Sequence, residues 1–339
     1  MKKTILASAI AAASFSGAAF AQESNLPTVY GNIQYAITHD NVDGGPSELE
    51  HTDNGSTLGV KHDHEIAPGL SGFFKLELEG LNADDKDAEN DNAGLNELDE
   101  AYVGVNSDSF GKVWIGSDDS TYERAIVKIA NFYEVATLSQ GSTYETGEGD
   151  LVQYESPSFG GLTLGAAVQV NGDGDSQNEG AKSYPYQLAA IYSVDALELA
   201  FAMDSNDGAA GSNDENTYGL RGTYTMGDLS VSGEFQTRKD VKDQFGVHGV
   251  YTVGPNQFAL SYELSQFDDE IADVDQSTIT LQALHNLSDN MYIYAEGYIG
   301  GGDDVYDYNY ETVGSSDFDS NVGVSDERTV AAVGAVYYF

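Results

Sequence analysis

Histidine, the side chain most often recruited for acid–base work or metal ligation, occurs six times in 339 residues, at His39, His51, His62, His64, His248 and His285. Only His62-Asp63-His64 puts two imidazoles on one side of an extended segment, where a pair can grip a metal. No third ligand lies nearby, and a position at the end of its segment is the plainer reading. Nucleophilic catalysis needs a nucleophile, a base and an orienting acid, and no Ser or Asp motif surrounds these histidines. Cysteine is absent, which removes thiol chemistry, disulfides and thiolate metal sites. Asn171-Gly172-Asp173-Gly174-Asp175 with Glu179 has the oxygen-rich spacing of a calcium loop, yet it lacks the full twelve-residue ligand set. Gly300-Gly301-Gly302 has no strand-then-helix context for phosphate and reads as the entry to a loop. Tyr292, Tyr294 and Tyr298, with Tyr306, Tyr308 and Tyr310, offer rings to a sugar or, more simply, pack at strand ends and in loops. What the chain holds in abundance is carboxylate: 56 Asp and Glu against 14 Lys and Arg, a net charge of −42. Such a balance leaves no basic patch for nucleic acid and favours cations near its surface.

The elements that must position these groups follow a period of two. Leu197, Leu199, Phe201 and Met203 alternate with Glu198, Ala200, Ala202 and Asp204. Phe258, Leu260, Tyr262 and Leu264 alternate with Ser261, Glu263 and Ser265. The pattern recurs in segments of roughly ten residues, the length a tilted strand needs to cross a bilayer. Strands are expected near 28–38, 55–66, 70–80, 97–106, 111–117, 150–157, 161–170, 184–193, 196–204, 215–226, 228–238, 244–253, 256–266, 276–286, 290–300 and 327–339. Short turns such as Ala67-Pro68-Gly69 and Gly254-Pro255-Asn256 alternate with long polar loops near 39–55, 81–96, 118–149, 171–183, 205–215, 239–243, 267–276 and 301–326. A soluble sandwich also alternates, but it does not need eight long loops on one side. Backbone groups in lipid must all be paired, and a closed, even-stranded barrel achieves that. The expected fold is therefore all-β: a transmembrane antiparallel barrel of sixteen strands.

The ends agree. Met1-Lys2-Lys3, a small apolar run and Ala19-Phe20-Ala21 form a secretory signal peptide over residues 1–21. The remainder, 22–339, is one barrel domain, exported through the periplasm to the outer membrane of a Gram-negative cell. The chain closes on Ala335-Val336-Tyr337-Tyr338-Phe339, and a terminal Phe is the usual assembly signal of outer-membrane proteins.

Several segments resemble the Gram-negative general porins: Gly55-Ser56-Thr57-Leu58-Gly59-Val60-Lys61, Glu100-Ala101-Tyr102-Val103-Gly104-Val105, Phe110-Gly111-Lys112-Val113-Trp114-Ile115-Gly116, and Tyr154-Glu155-Ser156-Pro157-Ser158-Phe159-Gly160-Gly161-Leu162. Their order, between a leader and a terminal Phe, carries the resemblance over the whole mature length. It implies a homotrimer in membrane lipid and lipopolysaccharide, passing ions and small hydrophilic solutes. It also implies a third loop, here 118–149 with a helical stretch at 121–130, folded into the barrel to narrow it. That loop offers Asp118, Asp119, Glu123, Arg124, Glu134, Glu145 and Glu148. In the family, arginines on the facing wall oppose the loop carboxylates. Here Thr57, Asp99 with Glu100, and Ser117 stand where the family commonly has arginine. Lys61, Lys75, Arg221 and Arg238 are the remaining basic wall residues whose spacing opposes the apolar face.

A carboxylate cluster in a narrow pore attracts cations and repels anions, so cation preference is expected. The remaining acids crowd loops such as Asp84, Asp85, Asp87 with Glu89 and Asp91, or Asp303, Asp304, Asp307 with Glu311. They fit solvated loops of a saline, halophilic habitat and leave room for loosely held calcium or magnesium, with no cofactor otherwise expected. The competing functions are a channel selective for a sugar or a cationic solute, a surface receptor or adhesin, and an outer-membrane hydrolase. The histidine and serine pattern speaks against the last.

Overall fold

The computed structural model describes residues 26–82, 94–95, 97–170, 184–207, 215–268, 274–310 and 321–339; the expected leader lies outside them. The strands are β1 (Thr28–Val42), β2 (Ser47–Asp53), β3 (Thr57–Ala67), β4 (Leu70–Glu79), β5 (Glu97–Ser107), β6 (Gly111–Ser117), β7 (Leu151–Glu155), β8 (Leu162–Gln169) and β9 (Tyr186–Val194). They continue as β10 (Leu197–Asp204), β11 (Thr217–Met226), β12 (Leu229–Arg238), β13 (Lys242–Val253), β14 (Asn256–Phe267), β15 (Asp275–Asn286), β16 (Met291–Tyr310) and β17 (Asn321–Tyr338). One helix, α1 (Thr121–Ile126), lies between β6 and β7. β1 pairs antiparallel with both β2 and β3, from β3 onward each strand pairs antiparallel with the next, and β17 returns to β1 with Asn32 opposite Tyr338, so the sheet is closed.

Seventeen strands make sixteen crossings. The later half of β1 pairs with β2, Tyr35 opposite Asp53, and its first half with β3, Asn32 opposite Thr57. β2 and β3 are thus one crossing, interrupted where Asp53 Oδ1 accepts the amides of Gly55 at 3.1 Å and Ser56 at 2.7 Å.

The alternation places the two kinds of residue on opposite faces. Leu199, Leu220, Val247, Leu260 and Ile299 point outward and are 47–57% exposed, whereas Gln187, Gln236, Glu263 and Thr278 point inward and are at most 2% exposed. Leaving large apolar side chains in water costs about 1.5–3 kcal/mol each. An apolar outside around a polar inside is stable only in hydrocarbon.

Three expected loops differ. The segment 39–55 is mostly sheet: β1 runs to Val42 and β2 begins at Ser47, because Asp40-Asn41 and Ser47-Glu48 continue the pairing into a tight turn closed by Val42 N to Pro46 O at 3.1 Å. The segment 239–243 shrinks to a turn over Lys239–Val241, with Asp240 at φ 58°. The eighth loop, expected at 301–326, is largely a hairpin: β16 continues through Gly300-Gly301-Gly302 to Tyr310, and the register shifts between Gly301 and Tyr306. Twenty residues of strand correspond to roughly 65 Å of extended chain, more than a tilted crossing of a core about 30 Å thick needs. The expected helix over 121–130 stops at Ile126 and gives way to a 3-10 turn at Ala130–Phe132.

Candidate functional site

The segment between β6 and β7 has little secondary structure of its own, so its backbone groups need partners elsewhere. Ser120 caps α1 by accepting the Glu123 amide at 3.2 Å. The buried side of α1, Tyr122, Ala125 and Ile126, packs on Ala189, Ala200 and Ala202 of the inner barrel face. Small residues are required there. A Cβ on Gly219 would sit 2.6 Å from the Tyr122 hydroxyl, and one on Gly246 would sit 2.6 Å from Ile129. Further along, β11, β13 and β15 donate to the segment's carbonyls: Arg221 Nε to Ala125 O at 2.9 Å, Gln244 Nε2 to Gly141 O at 2.8 Å, and Thr278 Oγ1 to Leu138 O at 2.6 Å. The segment therefore runs along the inward-facing side chains of the wall from β9 to β16.

Its six acids do not act together. Asp118 accepts the Trp114 indole N–H at 2.7 Å and faces Arg124 at 3.8 Å. Glu134 accepts the Tyr292 hydroxyl at 3.0 Å, and Glu145 pairs with Arg238 at 2.5 Å. The other three converge: carboxylate oxygens of Asp119, Glu123 and Glu148 lie within 4.8 Å of one another. Glu123 takes neutral donors, Asn131 Nδ2 at 2.7 Å and the Tyr144 hydroxyl at 2.6 Å. Asp119 and Glu148 are exposed, yet enclosure by the barrel and like charge raise pKa values along the segment. Desolvation, then Glu123 and Asp118, brings Asp119 up to about 6. Desolvation, then Glu123 and Asp119, brings Glu148 up to about 8. Desolvation and the charge of Glu296 bring Glu134 up to about 7.

The basic wall residues are each engaged. Lys75 bridges Glu77, at 3.1 Å, and Glu100, while the Lys61 ammonium sits 4.6 Å from the Tyr30 ring centroid. Arg221 pairs with Glu198 at 2.6 Å, and Arg124 stacks on Trp114 at 4.6 Å. Lys112, on the same face, also covers Trp114, at 4.4 Å. Strict alternation would put Asp99 and Glu100 on opposite faces. A bulge resolves this: Glu77 opposes Glu100 and Leu78 opposes Leu98, leaving Asp99 as the extra residue. Its carboxyl hydrogen-bonds with Glu77, so both acids serve the inner wall. Ser117 is a half-buried, uncharged position at the end of β6, beside Gly149.

Glu77, Tyr30, Lys112 and Trp114 were not among the residues singled out from sequence. Glu77 was within reach, since it alternates in phase with Lys75. The tyrosines read as a sugar track are closed to one: Tyr292, Tyr294 and Tyr298 on β16 are 1–4% exposed. His62 and His64 stack with centroids 5.7 Å apart. Asp173, Asp175 and Glu179 lie outside the described residues.

A closed antiparallel barrel, apolar outside and polar inside, with a connection lying along its inner wall, defines an outer-membrane channel. Residues 7–305 match the family model of Gram-negative porins. A monosaccharide porin of a Halomonas species is 30% identical over 337 residues, covering 94% of this chain and 82% of that one; the major outer membrane protein of Halomonas elongata matches equally. Among solved structures, an anion-selective porin from Comamonas acidovorans superposes with a TM-score of 0.70 at 20% identity, covering 93% of this chain and 99% of that one. Salmonella typhi OmpF, in complex with daunomycin, reaches 0.70 at 16% identity, covering 92% of this chain and 97% of that one. The chain belongs to the Gram-negative porin family and resides in the outer membrane.

Proposed function

We propose that this porin is a water-filled, cation-preferring channel for passive diffusion, narrowed by the segment 118–149. The observation that carries the reading is the trio Asp119, Glu123 and Glu148, whose oxygens converge within 4.8 Å while Lys75, Arg124, Arg221 and Arg238 each face a carboxylate. Glu77, Asp99 and Glu100 add acid on the β4–β5 wall, three carboxyls against the one ammonium of Lys75 that bridges two of them. Low-dielectric walls focus such a field. The anion-selective porin from Comamonas acidovorans shares the barrel, a likeness of fold alone. Purified protein in a planar bilayer under a KCl gradient is expected to give a reversal potential of the sign for K⁺ over Cl⁻ at 0.1 M. The preference should shrink at 1 M, where the Debye length falls from about 10 Å to about 3 Å. An anion-preferring reversal potential at low salt would sink the reading.

The name of the Halomonas relative raises a sugar-selective channel as the second possibility. Covered tyrosine faces disfavour a stacking site, and unblocked conductance with millimolar glucose would agree.

We also infer a homotrimer. His51 lies opposite Ile37, His62 opposite Phe74 and His285 opposite Ile293, all on the outer face. A groove of about 610 Å³, floored by Ala283, Ala295 and Ala335, lies between His285 and His51. Ionisable side chains are expensive against hydrocarbon, and contact with another subunit would cover this sector. Native mass spectrometry from detergent should give three chains; a monomer would argue against it.

A further inference from the structure

The strands that line the segment 118–149 alternate in what they offer it. β11, β13 and β15 donate to its carbonyls. The strands that alternate with them, β10, β12, β14 and β16, each present one carboxylate to its donors. Asp204 on β10 accepts Thr146 Oγ1 at 2.6 Å and the Thr146 amide at 3.3 Å. Glu234 on β12 accepts the amides of Lys128 at 3.0 Å and Ile129 at 3.1 Å through a single oxygen. Glu263 on β14 accepts Ser139 Oγ at 3.3 Å. Glu296 on β16 uses both oxygens, on the amides of Glu134 at 2.8 Å and Val135 at 3.1 Å.

We propose that Asp204, Glu234, Glu263 and Glu296 are positioning residues that together fix how far the segment stands from the wall, and so set the width and steadiness of the opening. The second half of that statement rests on the reading of 118–149 as the constriction. Three features support it. The four acids meet the segment at four separate places, 128–129, 134–135, 139 and 146, so the carboxylate contacts are distributed along it and not gathered at one end. A carboxylate is an acceptor with no proton to offer, and its bonds to N–H are roughly twice as strong as neutral ones. None of the four forms a salt bridge among the described residues, so cation pairing does not account for their place on the inner face. Tyr298 adds to the same lock by donating to Glu296 at 2.5 Å while its hydroxyl accepts the Ala136 amide at 2.9 Å.

The test uses the full-length protein in detergent, with E234A/E296A beside E234Q/E296Q, and E234A and E296A singly in case the double alanine variant does not fold. Hydrogen exchange is followed on peptides covering the amides of Lys128, Ile129, Glu134 and Val135, with single-channel recordings on the same preparations. In the alanine variants exchange at these amides should accelerate by at least about tenfold, the loss expected when an N–H to carboxylate bond is removed. Open-channel noise should rise and closure should occur at lower voltage. The glutamine variants keep an acceptor oxygen and should restore both readouts. Unchanged exchange in the alanine variants would overturn the anchors, as would glutamine variants as disturbed as alanine ones. Faster exchange with unchanged noise, closure and solute exclusion would instead overturn the link to pore width, and with it the constriction reading, while leaving the hydrogen bonds in place.

Discussion

Replacing Asp119, Glu123 and Glu148 together by Asn, Gln and Gln is expected to abolish most of the cation preference while leaving the barrel intact. The three carboxylates lie within 4.8 Å of one another, so a permeating cation meets them at once. A unit charge 4 Å from another contributes about 1 kcal/mol in bulk water and about 4 kcal/mol at an effective dielectric near 20. Even the lower figure is about a fivefold local enrichment of a cation and an equal depletion of an anion. The ratio of K⁺ to Cl⁻ permeability from reversal potentials at 0.1 M should therefore fall several-fold toward unity. D240N, a charge removed from the exposed turn between β12 and β13, should leave it unchanged. An unaltered ratio in the triple variant would place the selecting charges elsewhere.

Cation preference should also climb as pH rises from 5 to 9. Asp119, Glu134 and Glu148 are held up to about 6, 7 and 8. At pH 5 these carboxyls are mostly protonated and neutral; by pH 9 they are charged, and the pore is more negative. The midpoint should fall between about 6 and 8, well above that of an ordinary carboxyl. The sign for stability is the opposite. Groups whose folded pKa is raised contribute fully below the ordinary carboxyl pKa of about 4, and that contribution is lost as pH rises from there through the folded values of about 6 to 8. A permeability ratio flat from pH 5 to 9 would contradict this assignment, and the triple variant should lose most of the pH dependence.

The barrel was legible in the sequence because its physics is local. Each strand carries its own alternation, and one face must meet hydrocarbon while the other meets water, so Leu199 and Phe201 against Ala200 and Ala202 suffice to orient β10. The extent of the strands beyond the membrane was not legible in the same way. Polar residues such as Asp307 read as loop, since outside the bilayer neither face needs to be apolar, and pairing with β17, Asp307 opposite Val324, keeps it in sheet. The bulge at Asp99 escaped because only Glu97 and Leu98 precede it in β5, too short a run to show that the alternation changes phase there. Within the site, residue types were readable and partnerships were not. Glu134 and Glu148 look alike in sequence, yet one rests against Tyr292 and the other joins Asp119 and Glu123. The acids of β10, β12, β14 and β16 were present in the alternation as inward polar positions, without a sign that the same connection would meet all four.

The register that joins Asn32 to Tyr338 has a kinetic meaning. The first crossing cannot complete its ladder until nearly the whole polypeptide has been delivered, because the partner of its free edge is the last stretch to be made. Consecutive strands can pair as hairpins earlier, but two edges of the sheet stay open until the seventeenth strand meets the first. With pairing between residues so far apart along the chain, that step is intrinsically slow.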